Sequence, residues 1–116
     1  MLAITPDRPE RLRETFEEHG YAYRLLSDDE MLAARAYGIA FRVDDASLAR
    51  YRGFGVDLEE RSGRDHHLLP VPSVFLVDRQ GVIRFVYSNP DYKVRVDPRA
   101  LLEAARAHAP PPAPAP

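Results

Sequence analysis

Four histidines, a set of paired carboxylates and no cysteine define the chemistry open to this 116-residue chain. His66-His67 is the one place where two metal-ligating side chains adjoin, with Asp65 as their close acidic partner. Adjacent residues in an extended loop point opposite ways, and a metal site needs three or four converging ligands. The pair therefore reads as a solvated loop, and neither a metal nor a cofactor is expected. His19 and His108 fall at the ends of expected helices, where a cation suits the helix dipole. The pairs Glu17-Glu18, Asp28-Asp29, Asp44-Asp45 and Glu59-Glu60 could do general acid-base work, but capping and solvation account for most of them. Gly53-Phe54-Gly55 lacks the further spacing of a phosphate loop. No serine lies in a nucleophile-elbow context. The absence of cysteine removes disulfides, thiolate metal sites and thiol-based mechanisms together.

The elements that would position these groups alternate between strand and helix. Leu2-Ala-Ile-Thr5 stops at Pro6 and suits a buried strand. Asp7 is placed to cap a helix through Glu18, with Pro9 in its first turn, Glu10 set for a capping box, and Gly20 as a stop. Tyr21 to Leu26 alternates like a strand. Ser27 or Asp28 then caps a helix over about 29–37, ended by Gly38. Ile39 to Val43 suits a short strand, and Asp44 or Asp45 caps a helix carrying Leu48 and Tyr51. Residues 56–67 are charged and read as a surface loop.

The clearest local structure spans Ser73 to Tyr87. Ser73-Val-Phe-Leu-Val-Asp78 and Val82-Ile-Arg-Phe-Val-Tyr87 are β-prone runs joined by Arg79-Gln80-Gly81, a hairpin pattern. The first run is almost wholly apolar and reads as interior; the second alternates and reads as nearer an edge. Asp97-Pro98 starts a last helix with Leu101, Leu102 and Ala105 as its buried stripe. Residues 1–109 are thus read as one domain. Pro110 to Pro116 contains proline and alanine alone and is expected to be an extended, disordered tail.

Bulk composition narrows the partners. The chain is 45% apolar and 29% charged, with a net charge of -2 and a pI near 6.1. That gives no electrostatic case for nucleic acid or an anionic membrane. Lys93 is the only lysine, so no arginine is informative by identity alone. No secretory signal is evident in residues 1–10 and no apolar stretch is long enough to span a bilayer, so a cytoplasmic protein is expected.

Leu69-Pro-Val-Pro-Ser-Val-Phe-Leu-Val-Asp-Arg-Gln-Gly-Val-Ile-Arg84 resembles the second-half signature of thioredoxin-fold redoxins, in which a proline precedes a buried strand and D-x-x-G makes the hairpin turn. Together with Leu2-Ala-Ile-Thr-Pro-Asp7, Leu26-Ser-Asp28, Tyr37-Gly-Ile39 and Pro90-Asp-Tyr92, in that order, it makes the chain similar to the AhpC/TSA peroxiredoxin-like group over residues 1 to about 107. The resemblance implies an α/β fold, a thioredoxin-like three-layer α/β/α sandwich with a mixed sheet, here incomplete at the N-terminus. It implies a thiol-dependent antioxidant oxidoreductase that reduces peroxides or exchanges thiols, with a thiol-redox protein partner or a homodimer.

By that resemblance Pro72 is the cis-proline of the fold, and Val71 supplies the backbone beside the reactive sulfur. The residues alone also allow Pro70 and Pro72 simply to stiffen the approach to the strand. The family's cysteine lies in a P-x-x-C-type segment upstream of everything present here. The start is accordingly read as an internal methionine or a clipped gene model, and this chain as catalytically inactive. The missing strand would lie between Leu2–Thr5 and the strand after Pro72, leaving both without a central neighbour. The rival expectation is a non-catalytic thioredoxin-like interaction module, acting through Val71-Pro72 or through Tyr51 and Phe54, for which core filling is the plainer role.

Overall fold

The computed structural model describes residues 1–109; the Pro110–Pro116 tail expected from composition lies outside them. The chain divides into two compact units, Met1–Pro70 and Val71 onward. Along it run β1 (Leu2–Thr5), α1 (Pro9–His19), β2 (Arg24–Ser27), α2 (Leu32–Ala36), β3 (Ala40–Arg42), α3 (Asp45–Gly53), α4 (Leu58–Ser62), β4 (Leu68–Pro70), β5 (Ser73–Val77), β6 (Ile83–Ser88) and α5 (Pro98–His108). No described helix is long and apolar enough to cross a membrane.

In the first unit β1 pairs in parallel with β2, Leu2 opposite Arg24 and Thr5 opposite Ser27. The right-handed crossover rule calls for a helix in such a connection, and α1 fills it, packing on β2. Pro9 opens α1, but the cap position is Arg8, which makes no side-chain cap bond. The expected Asp7 capping box does not form, because the Asp7 N–H is turned back onto Thr5 Oγ1 at 3.2 Å. Gly20 ends the helix in the left-handed region at φ 63°, its N–H donating to the Phe16 carbonyl. β3 pairs antiparallel with β4, Ala40 opposite Pro70.

Further elements depart from expectation in this unit: β2 begins at Arg24, where the strand was expected from Tyr21. The helix expected over 29–37 shrinks to Leu32–Ala36, since Met31 takes a left-handed conformation at φ 61° and cannot be helical. Asp28 still caps it from a distance, its two carboxylate oxygens accepting from the Ala33 and Ala34 N–H groups at 3.0 and 2.9 Å. The expected surface loop over 56–67 contains α4, capped by Asp57 through the Glu59 N–H and closed by Gly63. The core of the described chain lies here: Leu12, Met31, Ala34, Val43 and Leu48, with Met31 fully enclosed. β1, expected to be buried, leaves Leu2 and Ile4 more than half exposed, because β2 is its single partner strand.

In the second unit β5 and β6 form the expected antiparallel hairpin, Ser73 opposite Ser88 and Leu76 opposite Phe85. The Asp78 carboxylate accepts from the Gln80 and Val82 N–H groups, both at 2.9 Å, and Gly81 takes φ 81°. Register then slips, so that Val77 faces Ile83 and Arg84 is the extra residue of a bulge. That bulge accompanies an ion pair from Arg84 Nε to Asp78 Oδ2 at 2.7 Å. α5 starts at the Asp97 cap as expected, but its half-buried stripe is Leu101, Ala104 and Ala105, while Leu102 is exposed. No residue described in this unit is fully buried. The single mixed sheet expected from the sequence is instead three two-stranded pieces. Among the described residues β1 and β5 each have one neighbouring strand.

Candidate functional site

Val71 and Pro72 join the end of β4 to the start of β5. The described chain holds no cis peptide bond, so the cis assignment for Pro72 is corrected: the Val71–Pro72 bond is trans. Trans is the lower-energy isomer of an X-Pro bond by about 0.5–1 kcal/mol. Both residues are half-buried, and no fully buried neighbour in their unit imposes the other isomer.

The polar groups here face the hairpin. The Ser73 hydroxyl donates to the Val71 carbonyl at 2.7 Å and shares a 2.9 Å contact with the Ser88 hydroxyl. The Pro72 carbonyl accepts from the Asn89 N–H at 3.1 Å. Serine hydroxyls without a neighbouring base cannot act as nucleophiles at neutral pH. This segment can hold an extended backbone in place; it carries no reactive group of its own.

Tyr51 and Phe54 belong to the first unit, at the end of α3 and just past it. Tyr51 is 37% and Phe54 78% exposed, so core filling does not describe Phe54. The element beneath them is well determined: the Asp44 carboxylate accepts from the Ser47 N–H at 2.8 Å and from its hydroxyl at 3.0 Å. Those bonds, the backbone one first, hold the Asp44 carboxyl below its ordinary value.

Sequence spacing missed the polar ties around α4. Glu60 receives Arg8 Nη2 at 2.8 Å and is forked by Arg11 through Nε and Nη2. This joins α4 to the start of α1, alongside a backbone bond from the Arg8 N–H to the Arg61 carbonyl at 2.7 Å. The Arg11 hydrogen bond, then its charge, pulls the Glu60 carboxyl down, and the same bond raises Arg11. The signal was available: Asp57, Glu60 and Gly63 stand at cap, third and stop positions of a one-turn helix.

His66 and His67 are tied just as firmly. His66 Nε2 lies 2.6 Å from the Asp29 carbonyl, and His67 Nε2 lies 2.6 Å from Glu59 Oε1. They line a cavity of about 20 Å³ with Pro6, Asp7, Leu58 and Arg61, room for one water and no organic substrate. Among the described residues no three His, Asp or Glu side chains gather as metal ligands.

The parallel β1–α1–β2 unit, the β5–β6 hairpin with its D-x-x-G turn and the closing helix are the parts of a thioredoxin-like α/β domain. Residues 1–86 match the sequence profile of the AhpC/TSA family, and the chain belongs to that family. Comparison with curated proteins gives no match.

Proposed function

We propose that this chain is the rear portion of a thiol-dependent antioxidant oxidoreductase of the cytoplasm, one that reduces peroxides or exchanges thiols. By itself it is catalytically inactive. The observation that carries this reading is the conjunction of a redoxin-family sequence with no cysteine at all. Reduction of a peroxide needs a low-pKa thiolate that attacks oxygen and is oxidised to a sulfenic acid. None of the hydroxyls near Pro72 can replace it. On this reading the thiolate comes from a cysteine outside these 116 residues, and Val71-Pro72 is the backbone beside its sulfur. A thiol-redox protein or a second copy would then be the partner.

The test is the intact mass of the protein from its native source, with thiol alkylation. A mass several kilodaltons above 13.1 kDa, carrying a thiol that alkylates, is the expected result. A mass of 13.1 kDa with nothing to alkylate refutes it. The second reading, a non-catalytic interaction module, then takes over; the observation in its favour is the 78% exposure of Phe54.

A further inference from the structure

His66 and His67 lie in the segment joining α4 to β4, and each ring is hydrogen-bonded. The His66 ring uses both nitrogens: Nδ1 accepts from the Leu68 N–H at 3.0 Å, and Nε2 faces the Asp29 carbonyl at 2.6 Å. An amide N–H only donates and a carbonyl only accepts. One ring form satisfies both, the neutral imidazole with its proton on Nε2. Adding a proton to Nδ1 sets it directly against the Leu68 N–H, while the bond to Asp29 survives. His67 is built the other way. Its Nε2 faces the Glu59 carboxylate, so it holds more strongly when charged. Its backbone sits in the left-handed region at φ 55°, and its carbonyl accepts from the Val43 N–H at 2.8 Å.

We propose that His66-His67 is a proton-operated latch on β4: neutral His66 pins the Leu68 amide, and protonation releases that amide while tightening His67 onto Glu59. The charges around the pair come from several elements. Arg64 bridges Asp29 and Glu30 at 3.4 and 3.0 Å, and Asp7 and Arg61 line the same small cavity. Asp65 precedes the pair in sequence. The charged groups around the pair are thus the carboxylates of Asp7, Asp29, Glu30 and Glu59 and the guanidiniums of Arg61 and Arg64. Leu68 is the first residue of β4 and stands opposite Arg42 of β3. The Val43 N–H bond to the His67 carbonyl keeps that end of the β3–β4 ladder in place, so the change is confined to the Leu68 amide.

The experiment is nitrogen NMR with amide exchange on the full chain between pH 8 and pH 5, the range in which imidazoles titrate. At pH 8 the His66 ring should show its proton on Nε2 and an accepting Nδ1, with the Leu68 amide protected. Towards pH 5, after correction for intrinsic exchange, Leu68 protection should fall about tenfold, the worth of one hydrogen bond, in step with His66 protonation. In His66→Asn the side-chain oxygen can take the Leu68 N–H and cannot titrate, so Leu68 protection should stay flat. A Leu68 amide already unprotected at pH 8, protection unmoved at pH 5, or the same fall in His66→Asn would overturn the proposal. If that variant does not fold, the wild-type ring decides: a proton on Nδ1 at pH 8 also overturns it.

Discussion

Met31 is fully enclosed in the first unit and sits at φ 61°, and these two facts make opposite demands on a substitution. Truncation to alanine removes three side-chain heavy atoms from a core whose other members are Leu12, Ala34, Val43 and Leu48. Such losses cost about 2–5 kcal/mol, and a unit with so few buried residues has little packing to collapse into the gap. Glycine would remove one carbon more and in ordinary backbone would be worse than alanine by roughly 0.5–1 kcal/mol. At a left-handed position the order reverses, since a Cβ there costs about 1–2 kcal/mol. Met31→Gly should therefore be no less stable than Met31→Ala, and Met31→Leu, which keeps the volume, should lose less than about 1.5 kcal/mol. Urea midpoints followed by far-ultraviolet circular dichroism read all three. A Met31→Ala loss below about 1 kcal/mol would deny Met31 its place in the core. Glycine below alanine by a full 1 kcal/mol, the ordinary order, would deny the left-handed backbone.

Glu60, Asp44 and Asp78 all have carboxyls held below their ordinary values by hydrogen bonds. The unfolded chain thus binds protons more readily, and their contribution is present above ordinary values of 4.5 and 3.8 and lost as pH falls through the lower folded ones. Urea midpoints should decline below about pH 4.5, and Glu60→Gln should flatten that decline. Gly81 at φ 81° has open space around a would-be Cβ, so Gly81→Ala should cost roughly 1 kcal/mol from backbone strain alone, read as faster amide exchange at Val82. Removing the α5 cap by Asp97→Ala should cost about 1 kcal/mol, measured as a lower midpoint with the hairpin signals unchanged. Peroxide added to the isolated chain with a dithiol reductant should be consumed no faster than in a control with neither protein nor added metal.

The parts legible in the sequence are those fixed by chemistry within a few residues. Asp44 and Asp97 cap helices because a carboxylate can reach an N–H two or three residues on. Asp78 and Gly81 close the hairpin for the same local reason. The errors arose where distant groups decided the outcome. Arg8 stands at the cap position of α1 expected for Asp7, and its N–H is bound to the Arg61 carbonyl. The segment 56–67 contains α4, capped locally by Asp57 and tied through Glu60 to the distant Arg8 and Arg11. For His66 and His67 the sequence offers a metal or solvent as partner, while the structure gives them a carbonyl thirty-seven residues away and a carboxylate eight away.

The family's chemistry was legible through the order of its pieces, and the fold explains why no single piece carries it. β5 is apolar along nearly its whole length, the pattern of a strand covered on both faces, yet Val74 to Leu76 are half-buried and Val77 is exposed. Leu2 and Ile4 of β1 are in the same condition. Apolar strands left bare at an open edge are an aggregation hazard that natural sheets avoid by charge, proline or cover, and neither strand carries a charge or a proline within its span. Their composition is therefore that of strands with neighbours on both sides.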